Sequence, residues 1–205
     1  NIGEVKLRIT ARAKNDLEAK NIIKPVKEKL KKEFSKFIFG EDNDTLPSVL
    51  IKELAERNQT IVFAESCTGG LLSSSLTSIS GSSQVFLGSI VSYSNKLKNS
   101  LLNISEEKLT KYGAVSEEVC KAMAINVKEK LGADWAIAVS GIAGPNGGSQ
   151  DKPVGLVYIS ISGPNNHITN IKKLFNSTRN RKEIQTLSVN VCLNSLRLIL
   201  LSNSK

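Results

Sequence analysis

From residue 60 onward, short apolar runs alternate with capped helical segments, and three of the runs end in loops of glycine and hydroxyl residues. No other feature constrains the chain as strongly. Buried strands joined by helices predict a layered α/β domain. The expected strands are 60–64, 85–93 and 135–140. Helices are expected over 71–78, after Asn95, from Ser105 to Gly113, and over 116–131, where Ser116 reads as N-cap and Gly132 as the stop. Residues 156–162 and 168–175 flank Gly163-Pro164-Asn165-Asn166 and read as a strand pair, and 180–201 closes as a helix. The late hairpin makes the sheet mixed. The expected class is therefore α/β, a three-layer α/β/α domain with a mixed sheet.

The first forty residues follow a different pattern. Val5, Leu7 and Ile9 alternate within 4–12, which predicts a strand. Ile23, Val26, Leu30 and Phe34 recur at helical spacing, with Pro25 either starting or kinking the helix. Residues 36–39 read as a short strand. The polar run 40–45 is a linker, and Leu46-Pro47 opens a helix to about Arg57. We place a small α+β segment at 1–41 and the main domain at 45–205.

Composition removes several functions. A single histidine, His167, excludes a multi-histidine metal centre, and no metal or organic cofactor is expected. Cys67, Cys120 and Cys192 are 53 and 72 residues apart, which fits neither a zinc ribbon nor a disulfide scaffold and suggests a reducing, cytoplasmic setting. No apolar run approaches the ~18 residues of a membrane span, so no membrane partner is expected. The chain starts at Asn1 and its only methionine is Met123, which reads as a processed chain or a fragment. The net charge of +9 divides into +3 for 1–59, zero for 60–162 and +6 for 163–205. With aromatics at 5%, this is a poor match to a nucleic-acid face and a better one to a small anionic ligand near the C-terminal third.

Three loops carry candidate chemistry, each at the end of a strand, where open α/β sheets bind ligands. The first is Glu65-Ser66-Cys67-Thr68-Gly69-Gly70. It is either a plain tight turn or a nucleophile turn, with Ser66 or Cys67 as nucleophile and main-chain N–H groups for an oxyanion. The second is Tyr93-Ser94-Asn95-Lys96, where a phenol and an amine could reach one ligand; a lysine drawn out of water becomes a base. The third runs from Ser140 through Gly141, Ile142, Ala143 and Gly144 into a glycine- and proline-rich stretch ending at Gly155. Loops of that length are usually functional. Together they supply the parts of a Ser–Lys amidohydrolase, a histidine-free variant of the serine scheme.

The runs AESCTGG, SGSSQVFLGSIVSYSNKLK, YGAVSEEV and SGIAGPNGGSQDKPVG, in this order, resemble the CinA family. More narrowly, they resemble the C-terminal domain shared with PncC-type nicotinamide mononucleotide deamidases, over about Leu46 to Leu201. Residues 1–41 are similar to the end of the KH-like middle domain of longer CinA proteins, though without the GXXG loop. The resemblance implies hydrolysis of the carboxamide of nicotinamide mononucleotide to nicotinate mononucleotide and ammonia. It implies Ser66 as nucleophile, with Tyr93, Lys96 and Ser140 as catalytic partners; Ser140 stands where the family has threonine. Glu65, Cys67 to Gly70, Gly141 to Gly144 and Arg181 then bind substrate. Arg181 matches the arginine before the last helix, whereas Arg179 replaces a glycine and Gln185 a further arginine. The expected partners are the nucleotide and a second copy of the chain. The alternative is a binding module linked to competence or DNA damage, without catalysis.

Overall fold

The computed structural model describes residues 2–202, in two compact units, 1–45 and 46–205. In the first unit a single helix, α1 (Asp16–Glu33), is capped by Asn15, whose side chain accepts the Glu18 N–H at 2.9 Å. Pro25 lies inside α1 without ending it. The strands expected over 4–12 and 36–39 do not form: the first stretch has no regular structure and the second is a turn. The alternation at Val5 and Leu7 is real, but both side chains are exposed and no strand pairs with them. A strand needs a partner ladder to persist, which local pattern cannot supply. The described residues of this unit do not show the KH-like part that the resemblance implies.

The second unit is α/β as expected. Its helices are α2 (Leu46–Glu56), α3 (Leu71–Thr77), α4 (Asn95–Leu102), α5 (Glu106–Tyr112), α6 (Glu117–Leu131) and α7 (Arg181–Ser202). Its strands are β1 (Ile61–Glu65), β2 (Phe86–Val91), β3 (Trp135–Gly141), β4 (Leu156–Ser162) and β5 (Ile168–Leu174). They form one mixed sheet in the order β2-β1-β3-β4-β5. The first three strands are parallel and the β4–β5 hairpin is antiparallel.

Burial of both strand faces makes the three layers. Val62, Ala64, Ala136 and Ala138 pack with Val119, Met123 and Val127 of α6. Residues alternating with them, Ile61, Phe63, Ile137 and Val139, are fully buried on the opposite face. There α7 packs on β3 and β4, and α2 and α3 pack on α7. By length and composition α7 could cross a membrane, which the search for unbroken apolar runs does not register. In this fold it lines the core through Ile184, Val189, Cys192, Leu193, Leu196 and Leu200.

Helix ends follow the caps in the sequence. Ser105 and Ser116 accept the N–H groups of Lys108 and Val119, and Gly132 closes α6 in the left-handed conformation. One reading shifts: Ser94, not Asn95, caps α4, accepting the Leu97 N–H. Gly155 joins the third loop to β4 at φ +94, and a β-carbon there would press on the Phe175 carbonyl. Gly155→Ala is expected to cost ~2–4 kcal/mol and lower the melting temperature by roughly 5–15 °C. Gly132→Ala, which meets open space, should cost only the left-handed strain of about 1–2 kcal/mol. Thermal melts of the two variants check this; equal melting temperatures would contradict it.

Candidate active site

The strand order places β1 between β2 and β3, so the step from β1 to β2 and the crossover from β2 to β3 run in opposite directions across the sheet. The parallel strands bring their carboxyl ends to one edge of the sheet, at a topological switch point. Ser66 follows β1 there. Its N–H is held by the Val139 carbonyl at 3.0 Å, and Gly69 and Gly70, at φ +61 and +99, turn the chain into α3.

Ser66 is paired with a lysine, and it is Lys98. The Lys98 Nζ lies 2.9 Å from the Ser66 Oγ and donates to the Ser92 carbonyl at 2.7 Å. Lys98 is 1% exposed, and no salt bridge is found for it among the described residues. Burial pushes its pKa below the ordinary lysine value. An ammonium here has lost water without gaining an anion, so the neutral amine is favoured. Lys98 Nζ donates to both Ser66 Oγ and the Ser92 carbonyl, and once neutral the amine can take up the Ser66 proton across the same 2.9 Å contact.

Lys96, the lysine expected in this role, is not brought to Ser66. It is exposed and lines a shallow depression with Asn99 and Glu106. Residues two apart on a helix lie about 200° apart, so α4 turns Lys96 outward when it buries Lys98. The sequence did carry a signal: Lys98 and Leu102 are four apart and share the buried stripe. Pairing Lys96 with Tyr93 in one motif, rather than following the apolar stripe of the helix after Asn95, hid it.

Tyr93 is also displaced from its expected role. Its ring is 58% exposed, and its hydroxyl accepts from Arg181 Nη2 at 2.6 Å, whereas Ser66 bonds to Lys98. Arg181 donates as well to the Gly144 carbonyl at 2.9 Å, so one guanidinium at the start of α7 ties the second loop to the third. The Ser140 hydroxyl donates to the Ala114 carbonyl at 2.7 Å. Gly141 lies against Leu156 and Val157, where a β-carbon would not fit, and the Ile142 N–H bonds the Leu156 carbonyl. Ala143 is buried, and no acceptor takes the Ala143 and Gly144 N–H groups among the described residues. The alternative nucleophile is removed: burial pushes the Cys67 thiol up to about 12, so it stays protonated. Cys67 presents its carbonyl to Gln185 Nε2 at 2.8 Å.

Glu65 has the clearest structural task. It is fully buried and accepts hydrogen bonds from the Thr68 and Ser73 hydroxyls and from the N–H groups of Gly70, Leu72 and Ser73.

Comparison with known proteins follows this geometry. A family model described as the CinA C-terminal domain matches residues 43–200. The chain belongs to the CinA family. A "CinA-like protein" of Prochlorococcus marinus (strain AS9601) is 91% identical over 205 residues, all of this chain and 48% of that relative. Another, from Gloeothece citriformis (strain PCC 7424), is 47% identical over 196 residues, 96% of this chain and 47% of that protein. The chain thus spans about half the length of the curated relatives it matches. The crystal structure of the competence/damage inducible protein CihA from Agrobacterium tumefaciens superposes with a TM-score of 0.74. Its sequence identity is 36%, over 80% of this chain and 98% of that one. A CinA superfamily protein from Klebsiella pneumoniae gives a TM-score of 0.73 at 29% identity, over 77% of this chain and 96% of that one. The mixed open sheet is therefore the CinA fold.

In this CinA domain, two lysines separated by one residue should differ sharply. Lys98→Ala is expected to slow labelling of Ser66 by a fluorophosphonate by roughly 10²–10⁴-fold, as removal of a general base does. Lys96→Ala should leave it within about twofold. In the wild type the labelling rate should rise with pH through the lowered pKa of Lys98, because only the neutral amine accepts the proton. A rate that rises only at the ordinary lysine value would contradict this.

Proposed function

We propose that this domain is an amidohydrolase that converts nicotinamide mononucleotide to nicotinate mononucleotide and ammonia. The observation that carries the chemistry is the buried, unneutralised Lys98 amine at 2.9 Å from Ser66. The resemblance of the motifs to PncC-type deamidases supports the substrate.

The reaction divides into two acyl transfers. Lys98 takes the Ser66 proton as the Oγ attacks the carboxamide carbon. The Lys98 ammonium then gives that proton to the departing nitrogen, and ammonia leaves a nicotinoyl ester on Ser66. Water, deprotonated by the same amine, attacks the ester, releases the carboxylate and restores the serine. The developing oxyanion calls for main-chain donors, each worth ~10²–10³ in rate.

The substrate's phosphate needs a cation. Arg181 meets that need: among the described residues its guanidinium bonds only neutral oxygens, those of Gly144 and Tyr93, and so keeps its charge for an anion. It lies in the C-terminal stretch of net charge +6. Gln185, four residues on, serves the nucleophile turn through the Cys67 carbonyl.

Ammonia release from nicotinamide mononucleotide tests the reading. Wild-type activity is expected to vanish in Ser66→Ala and in Lys98→Ala. Arg181→Ala should raise KM for the mononucleotide by roughly 10–100-fold, the worth of a charge-assisted hydrogen bond, and leave the phosphate-free riboside nearly unaffected. A folded wild type that releases no ammonia would overturn the reading and favour a binding module instead.

A further inference from the structure

We propose that Glu65 is the positioning residue that builds the oxyanion hole, and that the hole consists of the main-chain N–H groups of Cys67 and Thr68. The inference rests on the acyl-transfer reading of Ser66 and Lys98, and not on the identity of the amide.

Six of the eight main-chain N–H groups from Ser66 to Ser73 have an acceptor. Ser66 donates to the Val139 carbonyl at 3.0 Å, Gly69 to the Ser66 carbonyl at 3.1 Å, and Leu71 to the Thr68 carbonyl at 3.1 Å. Gly70, Leu72 and Ser73 donate to the Glu65 carboxylate at 3.0, 3.1 and 2.8 Å. No other residue accepts the N–H of Cys67 or Thr68 among the described residues. Both residues are buried, at 5% and 3% exposure. A buried amide without an acceptor is rare in folded proteins. Two in succession, directly after the nucleophile, form a cradle for an oxygen that arrives with the substrate. The donors belong to the turn and not to the end of α3.

Glu65 determines which amides remain available. A carboxylate is acceptor-only, and this one takes five donors. The Thr68 hydroxyl bond, at 2.7 Å, holds the second cradle residue directly. The Ser73 hydroxyl joins the carboxylate to β2 through the Ser89 Oγ at 2.7 Å. Glutamine in place of Glu65 would turn an NH₂ group against N–H donors, and the turn would have to shift. Lys98 bonds Ser66 and Ser92 and forms no ion pair among the described residues, so Glu65 holds the turn without a salt bridge to the base.

The test compares wild type, Glu65→Gln and Ser73→Ala in two assays: Ser66 labelling by a fluorophosphonate, per folded molecule, and binding of pyridine-3-boronic acid, which forms a tetrahedral anion on the serine. Glu65→Gln is expected to slow labelling by ~10²-fold and weaken the boronate by a similar factor, with the pH midpoint of labelling unchanged. Ser73→Ala removes one of the five donors. It should give a smaller effect in the same direction, roughly 3–10-fold, and it keeps the test valid if Glu65→Gln does not fold. A merely structural role would lower the folded fraction and leave both per-molecule readouts at wild-type values. Wild-type values in the folded variants would overturn the proposal, as would a shifted pH midpoint, which would mean that Glu65 acts on Lys98. Wild-type labelling at Ser66 without hydrolysis of nicotinamide mononucleotide would overturn the substrate reading alone. A wild type that is not labelled at Ser66 would overturn both.

Discussion

A lysine amine held out of water beside a serine hydroxyl is the constraint to which the rest of the site conforms. Lys98 sits on α4 and Ser66 at the end of β1, thirty-two residues apart in sequence. A buried cation without a counter-ion destabilises a fold, so the chain must either supply an anion or accept a neutral amine. Here the only side-chain carboxylate among the nearby turn residues, Glu65, is occupied by the donors around α3. The amine is left to the Ser92 carbonyl and the Ser66 hydroxyl. Separating the acid from the base in this way keeps Lys98 basic toward serine rather than locked in an ion pair.

The sheet makes that separation possible. Three parallel strands end at one edge, and each contributes a different part: β1 the nucleophile turn, β2 the carbonyl that orients the amine, and β3 the carbonyl that holds the Ser66 N–H. From the other face, α7 reaches over with Arg181 and Gln185 to bind loops that the strands alone do not connect. Chemistry is thus supported by regular elements, while the long third loop is tied down at Gly144 by Arg181 and at Lys152, which donates to the Tyr112 carbonyl.

Much of the main domain was legible because its signals are local. Serine caps at 105 and 116, glycine stops at 113 and 132, and apolar runs bounded by loops give elements within a residue or two of those observed. The mixed sheet followed from the hairpin around Gly163-Pro164. Where partners lie far away in sequence, local pattern misled. Residues 4–12 alternate as a strand but have none to pair with. Lys96 and Lys98 are indistinguishable by composition, and only the rotation of α4 separates them. The family resemblance placed Tyr93 with the nucleophile, whereas its hydroxyl bonds Arg181, 88 residues on. Ser66 was readable because a hydroxyl on a glycine-rich turn after a buried strand is itself a local pattern. The work of Glu65 was not, since five donors converge on it only once α3 has formed.

The chemistry of the site depends on a Lys98 pKa held below the ordinary lysine value in the folded protein, and an NMR titration of its side-chain carbon, assigned by comparison with Lys98→Ala, measures it. The expected midpoint lies below the ordinary lysine value. A Lys98 midpoint at or above the ordinary lysine value would contradict it.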